Sequence, residues 1–234
     1  QGVSSAASDV YKRQGQDSFV THAVFSPDGS RVATSSYDQS VRIWDASTGG
    51  SLAVLKGHEA IVMSVTFSAD GSRLLSTDDS GTARLWDMSG QCDLRLIDVP
   101  ERSCTGVCFS ADGRRMATAS WESLGAVAMF QEPRGTAWIR LWDAATGSSI
   151  AGFRGHESLV KSIAFCPLGA TLATASSGDR SVRLWNTATT EQSMVYVGKK
   201  GWVYGSDCES AVFSPDGLSV AVGSDAGLNT VRVI

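Results

Sequence analysis

GHEAIVMSVTFSADGSRLLSTDDSGTARLWD, residues Gly57 to Asp87, opens on a glycine-histidine pair and closes on a tryptophan-aspartate pair. Between the pairs lie an apolar run ending in Val65-Thr66-Phe67, a Ser-Ala-Asp-Gly turn, the short run Arg73 to Thr77 and the run Ala83 to Trp86. Alternating apolar residues separated by a glycine-closed turn predict three strands and two reversals.

The same pattern recurs along most of the chain. Aligning on the phenylalanine before each turn gives Phe25, Phe67 and Phe109 at a spacing of 42, then Phe165 and Phe213 after insertions. The turns that follow start at Ser26, Ser68, Ser110, Cys166 and Ser214, and each ends in the glycine that a tight reversal with a left-handed residue requires. The closing pairs are Trp44-Asp45, Trp86-Asp87, Trp142-Asp143 and Trp185-Asn186, with Ile234 in the tryptophan's place in the fifth copy. A fourth apolar run follows each of the first four: Leu52 to Leu55, Leu94 to Ile97, Ile150 to Phe153 and Met194 to Val197. Four strands per roughly 42 residues is the period of a propeller blade.

Composition narrows the function classes. The 234 residues carry a formal net charge of -4 and 42% hydrophobic residues. Without a clustered positive surface, no nucleic-acid partner is expected. No apolar run approaches the ~18 residues of a membrane span, so no membrane partner is expected either. Cys92, Cys104, Cys108, Cys166 and Cys208 form an odd set without a C-x-x-C pair, which indicates buried reduced thiols in a cytoplasmic or nuclear protein and no metal site. No P-loop, G-x-S-x-G or triad pattern occurs, so no catalytic residue, cofactor or small-molecule substrate is assigned. Residues 1–14 are polar, small and out of register, and are set aside as a non-native or disordered leader.

Five copies in register resemble the WD-repeat β-propellers across about residues 15–234, with repeats at approximately 15–56, 57–99, 100–154, 155–197 and 198–234. The resemblance implies an all-β chain of four-stranded antiparallel blades. Five visible copies, the last lacking its outer strand, imply an incomplete ring, since family rings usually close with seven.

In such proteins a histidine, a Ser/Thr, an aspartate and the tryptophan form a hydrogen-bonded set within each blade. Carried over by position, the fourth copy supplies all four, His156, Thr174, Asp179 and Trp185. The second supplies His58, Ser76 and Trp86, with Ser80 at the aspartate position and Asp79 one residue early, so its network is expected to be incomplete. The first supplies Thr34, Asp38 and Trp44 with Gln16 replacing histidine; the third keeps Thr118 and Trp142; the fifth keeps Asp225. This placement makes His58 and His156 structural residues. His22 is read as packed or channel-lining.

Two further features recur. Arg42, Arg84, Arg140, Arg183 and Arg232 stand two before the tryptophan position, where they are expected to pair with the following aspartates and pack between blades. The Asp-x-x-Thr-Gly runs at Asp45 and Asp143 are expected to form local turns. A similar run occurs in quinone-cofactor propeller enzymes, which keeps that class as an alternative.

Family members bind peptides on the face where the histidine loops emerge, at fixed repeat positions. Carried onto this sequence, those positions give Phe19 and Thr21, Ile61 and Met63, Ser103 and Thr105, Leu159 and Lys161, together with Tyr37, Asp79, Trp121 and Gly178. Phe19, Tyr37, Ile61, Met63, Trp121 and Leu159 would form an apolar and aromatic patch. Two non-periodic segments are read as excursions from the scaffold: about 14 extra residues spanning roughly Glu122 to Ala137, either a binding loop or a tolerated surface insertion, and Gly198 to Ser206, whose Trp202 and Tyr204 beside Lys199 and Lys200 suit either a partner contact or, for Trp202, packing. The expected function is a non-catalytic scaffold for a protein or peptide partner. The alternative is a regulatory sensor propeller of a larger multidomain enzyme, a kinase or nucleotide-binding ATPase.

Overall fold

The computed structural model describes residues 18–90, 92–100, 103–123, 135–197, 208–224 and 230–233. Within them the expected blades appear as five antiparallel sheets in chain order. The first blade contains β1 (Val20–Phe25), β2 (Arg31–Ser36), β3 (Val41–Asp45) and β4 (Ser51–Leu55). The second contains β5 (Val62–Phe67), β6 (Arg73–Asp78), β7 (Thr82–Asp87) and β8 (Cys92–Asp98). The third contains β9 (Cys104–Phe109), β10 (Arg115–Ser123), β11 (Gly135–Asp143) and β12 (Ser149–Arg154). The fourth contains β13 (Val160–Phe165), β14 (Thr171–Ser176), β15 (Ser181–Asn186) and β16 (Gln192–Val197). Three strands of the fifth are described, β17 (Cys208–Phe213), β18 (Ser219–Ser224) and β19 (Thr230–Val233).

Consecutive side chains of a strand point to opposite faces, and in the second blade both faces are buried. Leu74 and Leu75 are each fully buried, but they belong to different interfaces. Leu74, with Val65, Phe67 and Trp86, packs back onto Ala33, Val41, Ile43 and Leu55 of the first blade. Leu75, with Leu85 and Ile97, packs forward onto Val107, Phe109, Met116 and Trp142 of the third. The same division continues to the fourth and fifth blades, so the core is a series of seams between sheets. Phe67 and Phe109 are 8% and 9% exposed because a preceding blade covers them, whereas Phe25, at the same repeat position in the first blade, is 66% exposed.

The turns behave as their residues dictate. In the first, Ser26 Oγ donates to Asp28 Oδ1 and accepts from the Arg31 amide, and Gly29 takes φ 70°. The Ser26 hydroxyl, with the Ser30 amide and hydroxyl, holds Asp28 down to about 2. Ser68 and Asp70, Ser110 and Asp112, and Ser214 and Asp216 repeat the arrangement. The Asp-x-x-Thr-Gly runs are the local turns expected of them: Asp45 accepts from Ser47 and Thr48, Asp143 from Ala145 and Thr146, and Gly49 and Gly147 adopt positive φ.

The third blade differs from the expectation that its extra residues leave the scaffold at Glu122. Strands β10 and β11 run on as a lengthened hairpin, with Trp121 opposite Ala137, Glu122 opposite Thr136 and Ser123 opposite Gly135. Continued pairing satisfies backbone groups that a free loop would have to leave to water. Residues 124–134 of that segment lie outside the described residues, as do residues 1–14, Gln16, Gly198 to Ser206 with Trp202 and Tyr204, Asp225 and Ile234.

Candidate functional site

The hydrogen-bonded sets tie the blade ends together. In the fourth blade Trp185 Nε1 donates to Thr174 Oγ1 at 2.8 Å, Thr174 meets His156 Nε2 at 2.7 Å, and His156 Nδ1 meets Asp179 at 2.8 Å. Burial, the largest single influence, works to raise the Asp179 pKa; the His156 contact, Ser181 and the Glu157 amide outweigh it and hold the carboxyl at about 2. Among the described residues of the first and third blades the tryptophan bond recurs, to Thr34 and to Thr118, and Asp38 is turned to Ser40 and, at 3.9 Å, to Arg42.

The second blade departs from the sequence expectation. Its network is complete, and the acid is Asp78, neither Ser80 nor Asp79. Asp78 Oδ2 lies 2.6 Å from His58 Nδ1, His58 Nε2 lies 2.7 Å from Ser76 Oγ, and Trp86 Nε1 donates to Ser76 at 2.8 Å. A carboxylate can only accept, so Nδ1 carries the proton, which in the neutral ring leaves Nε2 to accept the Ser76 hydroxyl. Asp78 also accepts from the Ser80 hydroxyl and from the Ser80 and Thr82 amides. The register explains the displacement. In the first blade Ser36 precedes Asp38 across the turn, and the Asp38 amide donates to the Ser36 hydroxyl. In the second, serine and aspartate have changed places, and the Ser80 amide donates to Asp78. The exchanged pair, Ser36-Tyr37-Asp38 against Asp78-Asp79-Ser80, was the available sequence signal.

The recurring arginines pack where a side chain is missing. A Cβ on Gly57, at φ 151°, would lie 3.0 Å from the Arg84 guanidinium, and one on Gly155 would lie 2.8 Å from that of Arg183. The glycine of each Gly-His pair thus seats the arginine, and Arg84 also lies 6.0 Å from the Trp86 ring centre. Asp45 and Asp143, expected as arginine partners, are engaged with their own turns.

These sets sit at one end of the blades, where the sequence-derived positions converge. The backbone N–H of Tyr37 donates to the Phe19 carbonyl, that of Asp79 to Ile61, that of Trp121 to Ser103 and that of Ser177 to Leu159. Each expected pair is therefore one hydrogen-bonded tip; in the fourth blade, whose turn is longer, Ser177 stands where Gly178 was expected. The residue two after each tip carbonyl is a bulge in the inner strand: Thr21, Met63, Thr105 and Lys161 fall where the ladder register shifts. Bulges re-aim side chains, and three of these reach the neighbouring blade. Thr21 donates to the Val62 carbonyl at 2.5 Å, Thr105 to Val160 at 2.7 Å, and Lys161 pairs with Glu209 at 3.0 Å. His22 Nδ1 adds a bond to the Val65 carbonyl at 3.0 Å, and Ser103 Oγ donates to Asp79 at 2.6 Å.

Phe19, Tyr37, Asp79 and Lys161 are exposed, while Thr21, Ile61, Met63, Thr105 and Leu159 are half-buried. Phe19 and Tyr37 pack edge to face with ring centres 5.9 Å apart. Trp121 is set into the core with Ala119, Ile139 and Phe153, so its ring is not part of the accessible patch. The opposite end carries a groove of about 510 Å³ between the first two blades, lined by Pro27, Asp28, Arg31, Asp70 and Met88, with both carboxylates taken up by their own turns.

Among the described residues no three metal-ligating side chains converge. Cys104, Cys108, Cys166 and Cys208 are buried and hold no disulfide, and burial pushes the Cys108 thiol up, away from reactivity.

The family model for the WD domain, G-beta repeat, matches residues 8–45, 49–87 and 147–186, together half of the chain. The first match begins inside the segment 1–14 that the sequence reading set aside. Periodic tryptophan protein 2 of Saccharomyces cerevisiae is 36% identical over 93% of this chain and 22% of its own length. WD repeat and SOCS box-containing protein 1 of Homo sapiens is 32% identical over 33% of this chain and 18% of its own length. The Notchless protein homolog of Arabidopsis thaliana is 44% identical over 18% of this chain and 9% of its own length. The chain thus spans about a fifth or less of the length of these relatives. With the blade order, the inter-blade seams and the two histidine networks, these matches place the chain in the WD domain, G-beta repeat family of β-propellers.

Proposed function

We propose that the chain is a non-catalytic protein-interaction scaffold that receives a protein or peptide partner on the blade-tip face. The observation that carries this reading is the row of hydrogen-bonded tips, which holds Phe19 at 78% and Tyr37 at 47% exposure beside half-buried Ile61 and Met63. Exposed aromatic and apolar side chains on a rigid scaffold favour partner contact over solvation. His58, Asp78 and His156 are buried, and Asp179 is engaged by His156 and Ser181, so these groups serve the scaffold in this reading.

Affinity capture from lysate with the wild-type chain and a Phe19→Ala/Tyr37→Ala/Met63→Ala variant tests the proposal. Partners present on the wild type should be missing from the variant, whose unfolding midpoint should stay close to that of the wild type. Identical partner sets would overturn it.

A second reading, a recognition or sensor propeller within a longer multidomain protein, is favoured by the short span on its relatives and by a relative whose name joins WD repeats to a SOCS box. Sequencing the complete reading frame separates the two: a fused domain, including an enzyme domain, supports the second.

A further inference from the structure

Resting on the reading of the tip face as a binding surface, we infer that its corner at the first two blades recognises a partner segment carrying a lysine or arginine beside an aromatic or aliphatic residue. The corner is preformed. Thr21 and His22 of the first blade are bonded to the Val62 and Val65 carbonyls of the second, which sets the Phe19–Tyr37 tip next to the Ile61–Asp79 tip. The apolar share of the site is the edge-to-face ring pair together with Ile61 and Met63. Faces of aromatic rings are electron-rich and attract cations as well as apolar groups.

Charge selects among the occupants that such a surface could take. Among the described tip residues Glu59, Asp79, Glu122 and Glu157 are exposed acids, and Arg180 is the exposed cation not committed to a neighbouring acid across the blades. Lys161 is neutralised by Glu209. Lys56 and Arg154 lie at the outer margin where β4 and β12 end, with Arg154 over the Trp138 ring at 3.5 Å. Asp79 gives one oxygen to Ser103 and retains acceptor capacity. An acidic segment or a nucleic-acid phosphate would meet like charge here, whereas a cation flanked by an apolar residue matches both halves of the corner.

A random peptide library displayed on phage, selected on the 234-residue chain and counter-selected on a Phe19→Ser/Tyr37→Ser variant, tests the inference. Enriched peptides should carry Lys or Arg next to an apolar residue. Their synthetic versions, followed by fluorescence anisotropy, should bind a Glu59→Gln/Asp79→Asn variant about tenfold more weakly, and weaken in raised salt. Peptides that need Phe19 and Tyr37 but lack a cation, or cationic peptides indifferent to the Glu59→Gln/Asp79→Asn change, overturn the inference and leave the face's role standing. Absence of any peptide sensitive to Phe19 and Tyr37 overturns both.

Discussion

Replacing Asp78 by alanine isolates the residue on which the second blade's network turns. The side chain is 1% exposed, and its carboxylate accepts from His58, from the Ser80 hydroxyl and from the Ser80 and Thr82 amides. Truncation leaves the fully buried His58 side chain and two turn amides without their acceptor. Each buried donor left without its acceptor costs about 1–3 kcal/mol, and more where the acceptor was charged, so the truncation should cost about 3 kcal/mol or more. Asp79 is adjacent in sequence but exposed, and its recorded side-chain bond is the one from Ser103, so Asp79→Ala should cost below about 1 kcal/mol. Urea unfolding followed by tryptophan fluorescence, at unchanged slope, reads both as midpoint shifts. The chosen pair controls for local charge, since each variant removes one acid from the same turn. Equal costs for the two variants, or a cost below about 1 kcal/mol for Asp78→Ala, would refute the assignment of Asp78 to the network.

Three further outcomes follow from the same seams and networks. Phe67→Ala should destabilise by about 3–5 kcal/mol and Phe25→Ala by well under 1, since only Phe67 is covered by a preceding blade; comparable urea midpoints would contradict the packing. Gly155→Ala places a methyl 2.8 Å from Arg183 and 3.0 Å from Trp185 and should cost about 1–3 kcal/mol, whereas a neutral result would show that the arginine seat is loose. Asp179 is held at about 2, below its ordinary 3.8, so its contribution to stability is complete above the ordinary value and is lost as pH falls through about 2. An Asp179→Asn chain should therefore show a shallower loss of thermal midpoint on acidification than the wild type, and parallel curves would remove the linkage.

By itself the order of residues determined the blades. The recurrence of phenylalanine, Ser-x-Asp-Gly and tryptophan is local chemistry: alternation specifies strands, a serine capped by its turn aspartate specifies the reversal, and a period near 42 sets one blade per copy. In the fourth blade His156, Thr174, Asp179 and Trp185 sit at the offsets read from the sequence and are hydrogen-bonded in series. Counting offsets failed where two residues could satisfy the same bond from either side of a turn: Asp78 reaches His58 because the chain reverses there, and only the folded turn shows which carboxylate faces the ring. The tertiary structure alone decided which tip residues meet solvent. Trp121 and Tyr37 occupy equivalent repeat positions, yet one ring lies in the seam between the third and fourth blades and the other stands against Phe19 in the open. Strand periodicity says which way a side chain leaves its sheet, but its exposure depends on the blade packed against it, and that is a relation between residues far apart in the chain.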